Sequence, residues 1–135
     1  MAHSGRKILA TLSKYILFFT VFPAGEARVG VPHNPRHNLP TDEMIRAEGY
    51  VAETHHVETD DGYILALHRI PYGRSESSAD QRGDRPVVFL QHGLLCSSAD
   101  WVMAGSVKGL GYILADAGYD VWLGNYRGNT YSRDH

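Results

Sequence analysis

The sequence predicts an α/β fold in which a β-hairpin precedes a βαβ unit of a mostly parallel sheet. Three observations carry this. Two β-prone runs, Glu53–Thr59 and Tyr63–Ile70, flank Asp60-Asp61-Gly62, the pattern of two strands joined by a tight turn. Pro86-Val-Val-Phe-Leu-Gln91 is apolar at successive positions, as in a strand covered on both faces. A helical pattern and a second strand-like run, Tyr119-Asp-Val-Trp-Leu123, follow within about forty residues. Strand, helix, strand over that length is a crossover that lays its two strands parallel.

The elements can be justified in chain order. Arg6, Lys7 and Lys14 precede the apolar run Tyr15-Ile-Leu-Phe-Phe-Thr-Val-Phe22, and Pro23, Ala24, Gly25 and Ala27 follow. A basic stretch, a short apolar stretch and small residues are the parts of a secretory signal peptide, so residues 1–27 are expected to be one. The apolar run is well short of the ~20 residues that cross a bilayer, so no stable membrane span is expected. Residues 28–40 hold three prolines and no periodicity, as in a leader or linker. The domain is then expected over residues 41–135. Thr41 or Asp42 is expected to cap a short helix that Gly49 stops. Residues 73–85 are rich in polar residues, Ser and Gly, and read as a solvent loop. Ser106 is expected to cap the crossover helix, with Val107, Leu110, Ile113, Leu114 and Ala117 on its inner face.

Composition narrows the functional classes. A chain that is 43% hydrophobic and 21% charged is ordinary globular material. Its formal charge is −2, and the first 27 residues hold three basic residues against one acidic, so the rest is more acidic still. That gives no electrostatic basis for binding nucleic acid. Cys96 is the single cysteine, which excludes an intrachain disulfide, and it is expected to be a small buried side chain. No Asn-x-Ser/Thr acceptor occurs. His55 and His56 point to opposite faces of one strand and cannot form a paired metal site. His68 and His92 have no carboxylate or cysteine at ligand spacing. No metal or cofactor is expected, and the histidines read as surface or loop residues.

The segment that carries chemistry is Gln91-His92-Gly93-Leu94-Leu95, at the end of the first parallel strand. Ligands collect beyond the carboxyl ends of such strands, and a glycine there lets the backbone approach a substrate with N–H groups facing outward. A fixed backbone donor is what a developing oxyanion needs, and losing one costs about 10²–10³-fold in rate. The Leu94 N–H is the candidate donor, with Leu95 next. His92 and Gly93 shape the turn. Asn125 and Arg127, in Asn125-Tyr126-Arg127-Gly128-Asn129-Thr130 after the second parallel strand, are expected to support it.

These blocks resemble the acid lipase family of gastric and lysosomal lipases, which are α/β-hydrolases. The resemblance runs through Asp60-Asp-Gly-Tyr-Ile-Leu65, Arg69-Ile-Pro-Tyr-Gly73, Pro86–Leu95, Trp101, Ile113–Asn125 and Arg127-Gly-Asn-Thr130, from about Asp42 to His135. Cys96 departs from it, where a small residue such as Ala is expected. The resemblance implies hydrolysis of carboxylic esters of neutral lipids, triacylglycerol or steryl ester, by a Ser-His-Asp triad. It also implies a secreted or lysosomal location, and it places Leu94 at the first oxyanion-hole position. Trp101 and Trp122 are expected in the core rather than on an acyl chain.

The same resemblance makes the chain the N-terminal part of an α/β-hydrolase fold, truncated before the nucleophile elbow. Gly-x-Ser-x-Gly occurs nowhere, and Gly105-Ser106-Val107-Lys108-Gly109 lacks the first spacer. No catalytic triad residue is therefore assigned within the chain. Two other readings stay open: a catalytically inactive hydrolase-like protein that binds lipid or a partner, and a different α/β-hydrolase chemistry such as epoxide hydrolysis. Two apolar parallel strands without further neighbours also predict an unpaired sheet edge and poor solubility for residues 28–135 alone.

Overall fold

The computed structural model describes residues 16–18, 38–75 and 85–135. Most of the expected leader and linker and the centre of the 73–85 loop lie outside the described residues.

The elements in order are β1 (Ile16–Phe18), α1 (Thr41–Ala47), β2 (Glu53–Glu58), β3 (Ile64–Ile70), β4 (Val87–Gln91), α2 (Leu110–Asp116) and β5 (Asp120–Gly124). They form one mixed sheet in the order β1-β4-β5-β3-β2. β1, β4 and β5 run parallel, while β3 is antiparallel to both β5 and β2. The hairpin and the parallel crossover are thus as expected. Gly62 closes the hairpin turn at φ 88°, a left-handed conformation that glycine adopts without penalty. The outer edge of β4 is not open in the whole chain, because Ile16–Phe18 pair with Val88–Leu90.

Strand periodicity and register stack one set of side chains on one face. Ile70 pairs with Val121 and His68 with Leu123, while Val88 and Leu90 sit beside the same two residues of β5. Ile70, Val88, Leu90, Val121 and Leu123 are buried in one core with Met44 and Ile45 of α1 and Tyr112 and Ala115 of α2. Both helices therefore cover the same face. The expectation that the parallel strands are covered on both faces is corrected: Phe89 and Trp122 point the other way and stay half-exposed. There the Trp122 ring packs against the Arg69 guanidinium, 5.0 Å from its centroid, and the His55 ring at 4.8 Å. Arg69 also makes a two-pronged pair with Asp120, at 2.7 and 3.0 Å.

Both helix starts differ from expectation. Pro40 occupies the α1 N-cap with no side-chain cap. Thr41 is drawn instead into a buried contact, its Oγ1 3.1 Å from the Ser98 Oγ and 3.1 Å from the Tyr131 hydroxyl. Gly49 stops the helix at φ 86°, as expected. Ser106 does not cap α2, which begins four residues later behind an extended Gly109. Residues 105–109 are held in turns by Gly109 N–H and Lys108 N–H donating to Gly105 O. A Cβ at Gly109 would come within 3.0 Å of Trp101 O and Gly105 O, so the tight entry needs glycine. Val107 is consequently 85% exposed, and the inner face of α2 is Gly111, Tyr112 and Ala115, with Leu110 and Leu114 beside it.

Candidate functional site

The helix-covered face changes character beyond the strand ends. After Val88 and Leu90 the next in-phase residue is His92, after Val121 and Leu123 it is Asn125, and all six are buried. His68 of β3 lies among them. The register of β3 against β5 would carry Ala66 opposite Asn125, but backbone pairing stops at His68 and Leu123. Side chains take over the ladder there. Asn125 Nδ2 donates to Ala66 O at 3.0 Å, and Ala66 N–H donates to the Ser132 hydroxyl at 3.0 Å. The chain returns to β3 where Asp134 bridges Ile64. Residues 126–133 are thereby held out as a loop.

Asn125 is satisfied on every side. It also donates to Ser98 Oγ at 3.1 Å and accepts from Ser98 N–H at 3.0 Å and Asn129 Nδ2 at 2.7 Å. Arg127 is exposed; it pairs with Asp61 of the hairpin turn and lies 4.6 Å over the Tyr63 ring. That pair ties the loop to the hairpin and holds the Asp61 carboxyl down at about 2, the Arg127 hydrogen bonds being the main cause and that of Thr59 the next.

The expectation that the histidines are surface or loop residues is corrected for His68, which is buried on β3; His92 does lie in a loop, but a buried one. His68 is 2% exposed, with Nδ1 2.9 Å from Ser98 Oγ, and burial lowers its pKa because the charged ring loses water. His92 is 6% exposed, its Nδ1 2.8 Å from Gly93 O and its Nε2 3.3 Å from Tyr126 N and 3.1 Å from Asn129 Nδ2. His55 is bonded to Glu53 at 2.8 Å, His56 is exposed, and His135 packs on Tyr63. Among the described residues no three His, Cys, Asp or Glu side chains are grouped to hold a metal, and no helix is long and apolar enough to cross a membrane.

The turn and the loop face each other across an open cavity of about 680 Å³. His92, Gly93, Leu94 and Leu95 line one side, Tyr126 to Thr130 the other. Cys96 N–H donates to Gly93 O at 3.3 Å and closes a tight turn, with Leu95 at φ 62°. A non-glycine residue there stores about 1–2 kcal/mol of strain. Leu94 and Leu95 are 91% and 98% exposed. Among the described residues neither amide makes a hydrogen bond. Cys96 is not buried as expected but half-exposed in the cavity wall, and a hydrogen bond to Asp100 raises its pKa. Trp101 is in the core, as expected, whereas Trp122 lies on the outer face described above.

Sequence reading singled out His92, Gly93, Leu94, Asn125 and Arg127, and all of them adjoin this cavity or its support. It missed Asn129, Ser98, His68, Thr41 and Ser132, whose partners are distant in sequence. The one signal available was the in-phase continuation of each buried strand into a polar residue.

A family described as the partial alpha/beta-hydrolase lipase region matches residues 41–105. The chain is 55% identical over 102 residues to the lysosomal acid lipase/cholesteryl ester hydrolase of Macaca fascicularis, covering 76% of this chain and 25% of that protein. It is 50% identical over 105 residues to the gastric triacylglycerol lipase of Bos taurus, covering 78% and 26% respectively. Lipase lipl-5 of Caenorhabditis elegans is 47% identical over 122 residues, covering 90% of this chain and 30% of the relative. The chain therefore spans between a quarter and a third of the length of the curated relatives it matches.

Proposed function

We infer the function from one premise: the chain belongs to the acid lipase family of α/β-hydrolases. We propose that it forms one wall of a lipase active site that hydrolyses carboxylic esters of neutral lipids, triacylglycerol or steryl ester. In that wall the Leu94 N–H donates to the oxyanion that develops on the ester carbonyl, with the Leu95 N–H next to it. The observation that carries this is an unbonded Leu94 amide, on a strained turn beside an open cavity, past the carboxyl ends of two parallel strands. A donor held in advance where charge develops lowers the barrier without reorganisation. His92, Gly93 and Asn125 hold the turn and the facing loop, and Arg127 anchors that loop to the hairpin.

No Gly-x-Ser-x-Gly element is present in the chain, so no residue of it is assigned as the nucleophile. The names of the relatives, one lysosomal and one gastric, support a secretory-pathway destination. On the sequence pattern alone, residues 1–27 are the signal peptide, 28–40 a linker and 41–135 the partial lipase domain, and the β1 pairing with β4 then belongs to the uncleaved chain. The experiment is hydrolysis of trioleoylglycerol and cholesteryl oleate by the protein carrying the coding sequence past His135. Proline is favoured at the second position of a tight turn and lacks an N–H. Leu94→Pro is expected to lower kcat by about 10²–10³-fold with KM little changed. Unchanged turnover sinks the oxyanion role, and no hydrolysis by the unaltered protein favours a non-catalytic lipid-binding module.

A further inference from the structure

We propose that His92 is locked as the neutral tautomer with its proton on Nδ1, and that this lock, set by Asn129, aims the Leu94 N–H into the cavity. The inference rests on the proposed oxyanion role and adds the positioning residues behind it. The argument is a chain of donors and acceptors in which each link leaves one choice. Tyr131 N–H donates to Asn129 Oδ1 at 2.9 Å, so the other end of that amide is its NH₂ group. The same orientation is required at the far side, where Asn129 Nδ2 meets Asn125 Oδ1 at 2.7 Å, an oxygen that already accepts from Ser98 N–H at 3.0 Å. The second hydrogen of Asn129 Nδ2 then faces His92 Nε2 at 3.1 Å.

Tyr126 N–H, which can only donate, points at the same nitrogen from 3.3 Å. Nε2 is therefore an acceptor and carries no proton. The ring proton sits on Nδ1 and is donated to Gly93 O at 2.8 Å. Gly93 C=O and Leu94 N–H belong to one planar trans peptide, in which the two bonds point in opposite directions. Holding the oxygen against a buried imidazole turns the N–H outward, toward the cavity that Leu94 lines. Cys96 N–H, also donating to Gly93 O, reinforces the same orientation. His92 and Asn129 are positioning residues: they act on the reaction only through the peptide they orient.

The test uses the full chain with ¹⁵N-labelled histidine. Long-range ¹H–¹⁵N correlations at neutral pH are expected to show His92 protonated on Nδ1 and bare on Nε2. The opposite tautomer, or rapid exchange between the two, overturns the inference. Two variants separate aiming from mere packing. His92→Asn keeps a donor near the Nδ1 position, whereas His92→Gln keeps an acceptor near Nε2 and loses the donor to Gly93. The residual dipolar coupling of Leu94 N–H, measured against those of the β4 amides, is expected to persist in the first and to collapse toward zero in the second. Equal couplings in both folded variants also overturn the inference. The wild-type tautomer decides alone where a variant fails to fold. None of these readouts involves hydrolysis. A failed tautomer with a still-damaging Leu94→Pro removes this inference only, and a confirmed tautomer with harmless Leu94→Pro removes the oxyanion role only.

Discussion

Asn125→Ala tests whether a side chain replaces the missing ladder between β3 and the loop. The residue is 2% exposed; its side chain donates to Ala66 O and Ser98 Oγ, accepts from Ser98 N–H and Asn129 Nδ2, and also lies 3.4 Å from His68 Nδ1. Truncation strands Ala66 O and Ser98 N–H, both in buried residues. Ala66 N–H points to Ser132, so by strand geometry its carbonyl faces the loop rather than β2 and gains no substitute partner there. Each stranded buried group costs about 1–3 kcal/mol, giving about 2–6 kcal/mol together. Against a domain stability of about 5–15 kcal/mol this is a large fraction. Asn125→Asp sharpens the test. A carboxylate keeps both accepted bonds but sets an oxygen against Ala66 O, and it is buried without a cation. Its folded-state pKa is therefore raised, so the stability of that variant is fully present below the unfolded carboxylate range and is lost as pH rises through the folded value. Urea unfolding of the full chain, followed by Trp101 and Trp122 fluorescence, gives the midpoint and slope. A shift for Asn125→Ala below about 0.5 kcal/mol, the level of an ordinary surface change, refutes the reasoning. So does an Asn125→Asp variant whose midpoint does not rise on acidification.

Three further outcomes are expected. Removing residues 1–27 deletes β1 and bares the β4 edge, so residues 28–135 should form higher-order species by light scattering; a soluble monomer with a cooperative melt contradicts this. Leu95→Gly relieves about 1–2 kcal/mol of left-handed strain and returns about 0.5–1 kcal/mol in chain entropy, and at 98% exposure the side chain has no burial to lose. The urea midpoint should therefore rise slightly, and a clear fall shows that the leucine is packed. Asp61 should titrate near 2 by carboxyl NMR and return toward the ordinary range in Arg127→Ala. Its folded value is depressed, so the pair supports the fold above the unfolded carboxylate range and that support is lost as pH falls through about 2; a wild-type carboxyl titrating near its ordinary value contradicts the pairing.

What the sequence made legible was local. The Asp61-Gly62 turn, the apolar run ending at Gln91, and the His92-Gly93 turn each need only neighbouring residues to be recognised, and each is found where it was expected. The start of α2 is not legible locally, because Ser106 satisfies the local rule for a cap, whereas the outcome is decided by the backbone of Trp101 and Gly105 crowding Gly109. The polar support of the site was hidden for a related reason. Ala66, Ser98 and Asn125 are tied together across separations of 27 and 59 residues, and no window of sequence contains that triangle. Its outline was nevertheless present in phase. Val88, Leu90 and His92 share one parity, as do Val121, Leu123 and Asn125, and a residue that continues a buried parity inherits burial. A polar side chain in such a place must find partners, since an unpaired buried group costs about 1–3 kcal/mol. The partners must come from segments that also end there, which limits them to β3, the turn after β4 and the loop after β5. Strand parity carried one step past the last apolar residue thus points to His92 and Asn125 as structural pivots. It leaves Asn129 unseen, because that residue is reached through a loop whose path only the folded chain defines.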